Sequence, residues 1–292
     1  MQLNSGAAAH QLDPGSARQP ENLSLSVFQS IAAIVEREAG IQLQASKILM
    51  VGSRLSKRLK ALSINSFEDY LAFLNAADGR TEYKELINVL TTNVTAFFRE
   101  QHHFDDFENA ILPSLVERAR SGERIRIWSA GCSIGAEPYS LALVVHKHFK
   151  DAASYDFKIL ATDIDHGCLN KAIAGQYPRE QIDSEIPAHH RSKFRDVDDE
   201  TVEVCESIKQ LITVRKLNLI QAWPFKGRFA TIFCRNVVIY FGADLTNQMW
   251  SQFTKYLEPE GRLYIGHSER VKGPALDHLS PVGITTYQRI GS

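Results

Sequence analysis

The spacing of hydrophobic residues divides this chain into a helical first third and a remainder in which short strands alternate with helices. From Ser24, residues Phe28, Ile31, Ile34 and Val35 fall on one helical face, and Gly40 is placed to end that helix. A second helix carries Ile48, Leu49, Leu55, Leu59 and Leu62. A third starts at Ser66, with Asp69 three residues on as a capping-box-like partner, and continues through Tyr70, Leu71, Phe73 and Leu74 to Asp78-Gly79. A fourth runs from Thr81 to Leu90. Residues 23–90 therefore predict a small all-helical domain. Residues 1–22 hold Gly, Ala, Ser, Gln and Pro without periodicity, and a disordered tail is expected there.

The stretch Thr91-Thr92-Asn93-Val94-Thr95-Ala96-Phe97-Phe98-Arg99-Glu100 interrupts the helical period, and a helix from about His102 to Arg120 follows it. Short apolar runs rich in β-branched and aromatic residues come next, at Ile125–Trp128, Phe157–Thr162, Arg228–Cys234, Gly261–Gly266 and Thr285–Ile290. Helical segments after Pro138, Asp165 and Gly242 separate several of them. Strands alternating with helices predict an α/β domain over residues 91–292, built on a doubly wound sheet. Residues 177–216 are too long for a simple crossover. Thr201–Cys205 alternates like a strand, and pairing with Leu211–Val214 would make a small antiparallel β insertion.

After the first strand comes a turn of small residues, with Ser129, Gly131, Ser133 and Gly135 at alternate positions. Strand, small-residue turn and helix bring backbone close to a ligand at the carboxyl edge of a sheet. The spacings G-x-G-x-x-G and G-x-x-x-x-G-K-[ST] are both absent here, which counts against NAD and ATP. The alternation resembles the first motif of S-adenosylmethionine-dependent methyltransferases. Asp163, at the tip of the second strand, is placed to accept from both ribose hydroxyls, and Asp165 is placed to cap the next helix.

Composition narrows the classes further. A net charge of -1 over 292 residues gives no global attraction to nucleic acid. Cys132, Cys168, Cys205 and Cys234 form no C-x-x-C pair, so neither a zinc site nor a disulfide framework is expected. No metal is expected, and His102, His103, His189 and His190 read as surface or capping residues. No apolar run approaches the ~20 residues that span a bilayer. A cytoplasmic monomer without membrane insertion is the expectation. Lys47, Arg54, Lys57 and Arg58 lie together on one side of the second helix, either as a solvated face or as a docking surface for an acidic partner.

Four stretches, occurring in order, resemble one family: the CheR proteins, which are chemotaxis receptor glutamate methyltransferases. They are residues 91–100 quoted above, Gly135-Ala136-Glu137-Pro138-Tyr139-Ser140, Ala161-Thr162-Asp163-Ile164-Asp165, and Cys234-Arg235-Asn236-Val237-Val238-Ile239-Tyr240-Phe241. The likeness runs from about residue 24 to the end. It implies a helical N-terminal domain and a seven-stranded methyltransferase sheet bearing a β-subdomain. It also implies S-adenosyl-L-methionine as cofactor, S-adenosyl-L-homocysteine as product, and the cytoplasmic helices of methyl-accepting chemotaxis receptors as partner. Where the motif letters agree, the family's cofactor contacts carry over to Asn93, Thr95, Arg99, Glu137, Asp163, Asn218, Leu219, Arg235 and Asn236. Ile134 and Ala136 depart from the pattern. The insertion lacks the glycine pair associated with gripping a receptor's C-terminal pentapeptide, so a strong tether is not expected.

The reaction so implied is attack of a glutamate carboxylate on the sulfonium methyl. A free Glu has a pKa of about 4.3, so the nucleophile is already ionised at pH 7 and needs no general base. Arg99 is expected to orient a carboxylate, the substrate's or the cofactor's, through its planar fork. Tyr240 is expected to donate to the attacking carboxylate or to face the sulfonium. Lys47, Arg54, Lys57 and Arg58 are expected to face outward and bind the acidic receptor. Two other readings stay open: a nucleic-acid methyltransferase on the same fold, and a non-catalytic cofactor-binding regulator.

Overall fold

The computed structural model describes residues 22–76, 79, 81–91 and 94–291, so the tail expected over 1–22 lies outside the described residues save for Asn22. Helix α1 (Leu25–Ala39) begins where Ser24 accepts from the Val27 amide, and ends on Gly40 at φ 73°. Helices α2 (Ile48–Leu62), α3 (Phe67–Asn75) and α4 (Glu82–Leu90) follow. Ser66 caps α3 by accepting from the Asp69 amide at 3.0 Å, as the spacing of the two residues predicts. The apolar faces close over one core that includes Phe28, Ile31, Leu55, Leu59, Tyr70 and Leu86.

The helix expected from His102 to Arg120 is present in two parts, α5 (His102–Asp106) and α6 (Leu112–Arg120), joined by a π turn over Phe107–Ile111. Pro113 has no amide hydrogen to give the carbonyl four residues back, and the π turn absorbs that missing bond.

The remaining elements are β1 (Ile125–Ala130), α7 (Ala136–His148), β2 (Phe157–Asp163), α8 (His166–Ala174), β3 (Gln176–Pro178), α9 (Arg179–Glu185), β4 (Phe194–Asp196) and β5 (Thr201–Val204). Then come α10 (Glu206–Lys209), β6 (Ile212–Lys216), β7 (Phe229–Cys234), α11 (Ala243–Tyr256), β8 (Leu257–Ile265), β9 (Leu279–Gly283) and β10 (Thr286–Arg289). The main sheet runs β6-β2-β1-β7-β8-β10-β9. Strands β6 to β8 are parallel, and β10 is antiparallel to both of its neighbours. Every residue of β7 is buried, as a central strand covered on both faces requires. A second, antiparallel sheet has the order β3-β5-β4.

Two strand expectations need correction. Leu211–Val214 does not pair with Thr201–Cys205: β6 lies parallel to β2 at the edge of the main sheet, with Ile159 opposite Ile212, and the partners of β5 are β3 and β4. Strand propensity is local, whereas the choice of partner is set by the turn through α10 that returns the chain to the sheet. Strand β9 was not anticipated. It contains Pro281, which a strand tolerates at an edge, where β9 lies.

The helical domain docks against the loop after β7, where Ile41 bridges Phe241 and the Gln42 amide donates to the Tyr240 carbonyl at 2.8 Å. Among the described residues no helix is long and apolar enough to cross a membrane.

Candidate active site

The carboxyl ends of β1, β2 and β7 meet α1, α2 and the segment after α4 around a cavity of about 370 Å³. Of the residues singled out in the sequence, it is lined by Lys47, Thr95, Arg99, Glu137, Asp163, Asn218, Leu219, Arg235, Asn236 and Tyr240. They come from across the chain, and only the fold brings them together. Asn93 lies outside the described residues.

The turn after β1 forms the floor. Gly131 and Cys132 donate their amides to the Thr162 carbonyl, at 2.8 and 2.9 Å. Gly131 sits at φ 80°, and a Cβ there would lie 2.3 Å from Cγ2 of Val237, so the position requires glycine on both counts. Asp163, at the tip of β2, accepts from the Ser133 amide at 2.8 Å and the Asp165 amide at 2.9 Å, one on each oxygen. A carboxylate has about four lone-pair sites, so acceptor capacity remains. Asp165 accepts from the Cys168 amide and caps α8 as expected.

Glu137, in the first turn of α7, accepts from the Ser129 hydroxyl at 2.7 Å and from Arg235 at 3.1 Å. Burial pushes its carboxyl above the usual range, against the opposing pull of Arg235, and burial likewise raises Asp163. Arg235, with its side chain 3% exposed, also donates to the carbonyl of Arg99, lies 3.5 Å from Glu100 and faces the Phe104 ring. Its Nε is buried without a partner. The Arg99 segment is held from both sides. The Phe97 amide donates to Glu185 at 2.7 Å and the Phe98 amide to Ser140 at 3.0 Å. Phe98 and Glu100 take positive φ, 51° and 56°. Among the described residues the Arg99 side chain makes only a 3.4 Å contact, with the Val94 carbonyl. The Tyr240 hydroxyl has no hydrogen-bond partner among the described residues, while its ring packs on the helical domain's core. The Asn218 side chain is occupied, donating to the Glu38 carbonyl at 2.8 Å and accepting from the Ile220 amide at 3.2 Å.

One residue that organises the site was missed. Glu269, beyond β8, is buried and accepts from the amides of Asn236, Val237, Val238 and Gly266, at 3.1, 3.0, 3.0 and 2.6 Å. It fixes the turn that carries Asn236, at φ 59°, to the cavity wall. Nothing local marks this role, because three of its four partners lie more than thirty residues away in sequence.

The basic helix also reads differently. Arg58 forms a bidentate pair with buried Glu82, at 2.7 and 2.6 Å, and Tyr70 donates to the same carboxylate at 2.9 Å. Arg54 donates to the carbonyls of Leu90 and Thr91, both at 2.9 Å, at the end of α4. These two arginines hold α2 to α4 and do not present an outward cationic face; Lys47 and Lys57 are exposed. The reason is geometric, since α4 packs along that side of α2.

The histidine expectation is corrected at two positions. His103 is fully buried and bonded to Thr285 at 2.9 Å, and His190 is buried and stacked on Phe98. Burial lowers both to a pKa of about 4, helped by Arg235 beside His103 and by His189 and Lys147 beside His190. Ligand atoms of Glu100, His102 and His103 come within 4.8 Å of one another. The Arg235 guanidinium beside Glu100 opposes a metal cation there.

The cavity thus combines apolar walls (Ile164, Leu219, Val237, Phe241), a carboxylate with spare acceptor sites, and an acid and a base set side by side. That set suits a ligand joining an aromatic base, a ribose and a zwitterionic amino acid. Residues 93–288 match the family described as CheR methyltransferase, SAM binding domain, and residues 26–91 match its all-alpha domain. A probable chemotaxis protein methyltransferase of Rhizobium etli is 45% identical over 258 residues, 87% of this chain and 96% of that protein. A chemotaxis protein methyltransferase of Borreliella burgdorferi is 38% identical, covering 92% of this chain and 95% of that one. Chemotaxis protein methyltransferase 2 of Pseudomonas aeruginosa is 39% identical, covering 83% and 85%. With its seven-stranded sheet, small antiparallel sheet and all-α N-terminal domain, this chain belongs to the CheR methyltransferases, enzymes whose cofactor is S-adenosylmethionine.

Proposed function

We propose that this protein transfers the methyl group of S-adenosylmethionine to glutamate side chains on the cytoplasmic helices of chemoreceptors, giving γ-methyl esters. The observation that carries the reading is the pairing of Arg99 and Tyr240 on a cavity that no described histidine lines. A guanidinium with one weak contact and a phenol hydroxyl without a partner, both among the described residues, can orient a carboxylate. An ionised carboxylate nucleophile needs no base to activate it.

Bound cofactor would supply an electrophilic methyl on a sulfonium. Asp163 holds the ribose hydroxyls, and Glu137 and Arg235 hold the charged amino-acid end. Thr95, Asn236 and Leu219 close the walls around it, and Asn218 ties that wall to α1 through Glu38. Arg99 and Tyr240 then set the incoming carboxylate in line. Alignment of this kind contributes up to roughly 7–11 kcal/mol to lowering a barrier. Exposed Lys47, at the cavity, and Lys57 further along α2 offer charge to an acidic receptor helix.

The test is transfer of radiolabelled methyl groups to a receptor cytoplasmic fragment, followed by mild alkali. Release of labelled methanol identifies esters. Counts that resist alkali, or appear on nucleic acid instead, defeat the proposal.

A further inference from the structure

A second concave site lies away from the cofactor cavity. Helix α7 begins at the cavity with Glu137, and its last turn, about 15 Å further along, reaches a groove of about 420 Å³. Lys147 enters this groove from the last turn of α7 and Lys150 from two residues beyond its end, and Lys193 and His189 enter from the 188–193 turn, over a floor of buried Leu143 and His190. Glu108 is already bonded to Lys147 at 2.6 Å and His148 at 2.5 Å. Lys150 and Lys193 have no ion-pair partner among the described residues. A chain of net charge -1 therefore gathers uncompensated cations around a hollow, an arrangement that repels itself until an anion enters.

We propose that this groove is a binding site for a phosphate-bearing anion. The cations lining it are lysines, ammonium point charges that bind the oxygens of a compact, multiply charged phosphate from several sides at once. It is concave and of small-molecule size, which an extended acidic segment does not need. Its floor also touches the active-site loop. His190 stacks on Phe98 at 5.5 Å with the rings 13° apart, and Phe98 immediately precedes Arg99.

The experiment is calorimetric titration of the whole chain with sodium pyrophosphate at constant ionic strength. Saturating S-adenosylhomocysteine keeps pyrophosphate out of the cofactor cavity. Saturable binding is expected, weakened at least tenfold in Lys150→Gln/Lys193→Gln. That double variant should keep the parent's melting temperature and S-adenosylhomocysteine affinity, because neither lysine makes an ion pair among the described residues or lines the cavity. Absence of saturable binding overturns the proposal, as does equal binding by parent and double variant. Tighter lysine-dependent binding of an octaglutamate peptide than of pyrophosphate also overturns it, in favour of an acidic protein segment.

Discussion

Glu137 and Arg235 are 98 residues apart in sequence and meet at 3.1 Å, joining the helix after the first strand to the loop after the fourth parallel one. The same guanidinium holds the Arg99 carbonyl, so one side chain aligns three segments of the cavity wall. An ammonium group keeps the charge but has no planar fork to reach two fixed acceptors. Arg235→Lys should therefore weaken S-adenosylhomocysteine binding about tenfold, or about 1.4 kcal/mol, in a folded protein. Titration calorimetry checks this, and parent affinity would remove Arg235 from the binding machinery.

Asp163→Ala should cost about 1–3 kcal/mol of cofactor affinity, because ribose hydroxyls lose a buried acceptor. Its pH behaviour follows from burial, which raises both Asp163 and Glu137. Cofactor affinity should fall as pH drops through these raised values, beginning above the ordinary carboxylate range. Their contribution to folding runs the other way. An acid whose folded pKa is raised holds its proton longer in the native state, so stability from these groups declines as pH rises through the same window. Affinity that is flat from pH 7 down to the ordinary carboxylate range would contradict the assignment.

Arg58 stabilises the helical domain through Glu82. Arg58 is 25% exposed while Glu82 is buried, so removing the arginine leaves a buried carboxylate short of a partner, and Arg58→Ala should cost about 1–3 kcal/mol, read by urea unfolding. Glu82 keeps its bond from Tyr70, so S-adenosylhomocysteine affinity of the folded fraction should stay unchanged. A loss below 1 kcal/mol would show that the pair is only a surface contact.

Glu269→Gln tests how the Asn236 turn is held. An amide oxygen cannot serve four backbone donors, and the new NH2 faces them, so at least two amides go unpaired at about 1–3 kcal/mol each. Both the melting temperature and S-adenosylhomocysteine affinity should fall. A drop in stability with cofactor affinity intact would limit Glu269 to a structural role.

Lys57→Glu, a change on α2 outside the cofactor cavity, should raise the KM for a receptor fragment and leave cofactor affinity alone. Exposed charges contribute only about 0–1 kcal/mol each, so the effect should be largest at low salt and fade as ionic strength rises. Normal receptor kinetics at low salt would return α2 to an ordinary solvated surface.

The sequence by itself determined the features that depend on neighbours along the chain. The start of the first helix at Ser24, the Ser66 cap, the Gly40 stop, the alternating small residues at 129–135 and the alternation of strands with helices rest on local sterics and hydrogen bonding. Asp163 and Asp165 were legible for the same reason, as an acid at a strand tip and a cap two residues on. Tertiary structure alone decided which strand β6 would join, that Arg54 and Arg58 would turn toward α4, and that His103 and His190 would be buried. It also brought Glu269 beneath four amides and Arg235 onto Glu137. These depend on which surfaces meet when distant segments pack. A lone Glu or Arg reads the same in sequence whether it ends in solvent or against a partner a hundred residues away.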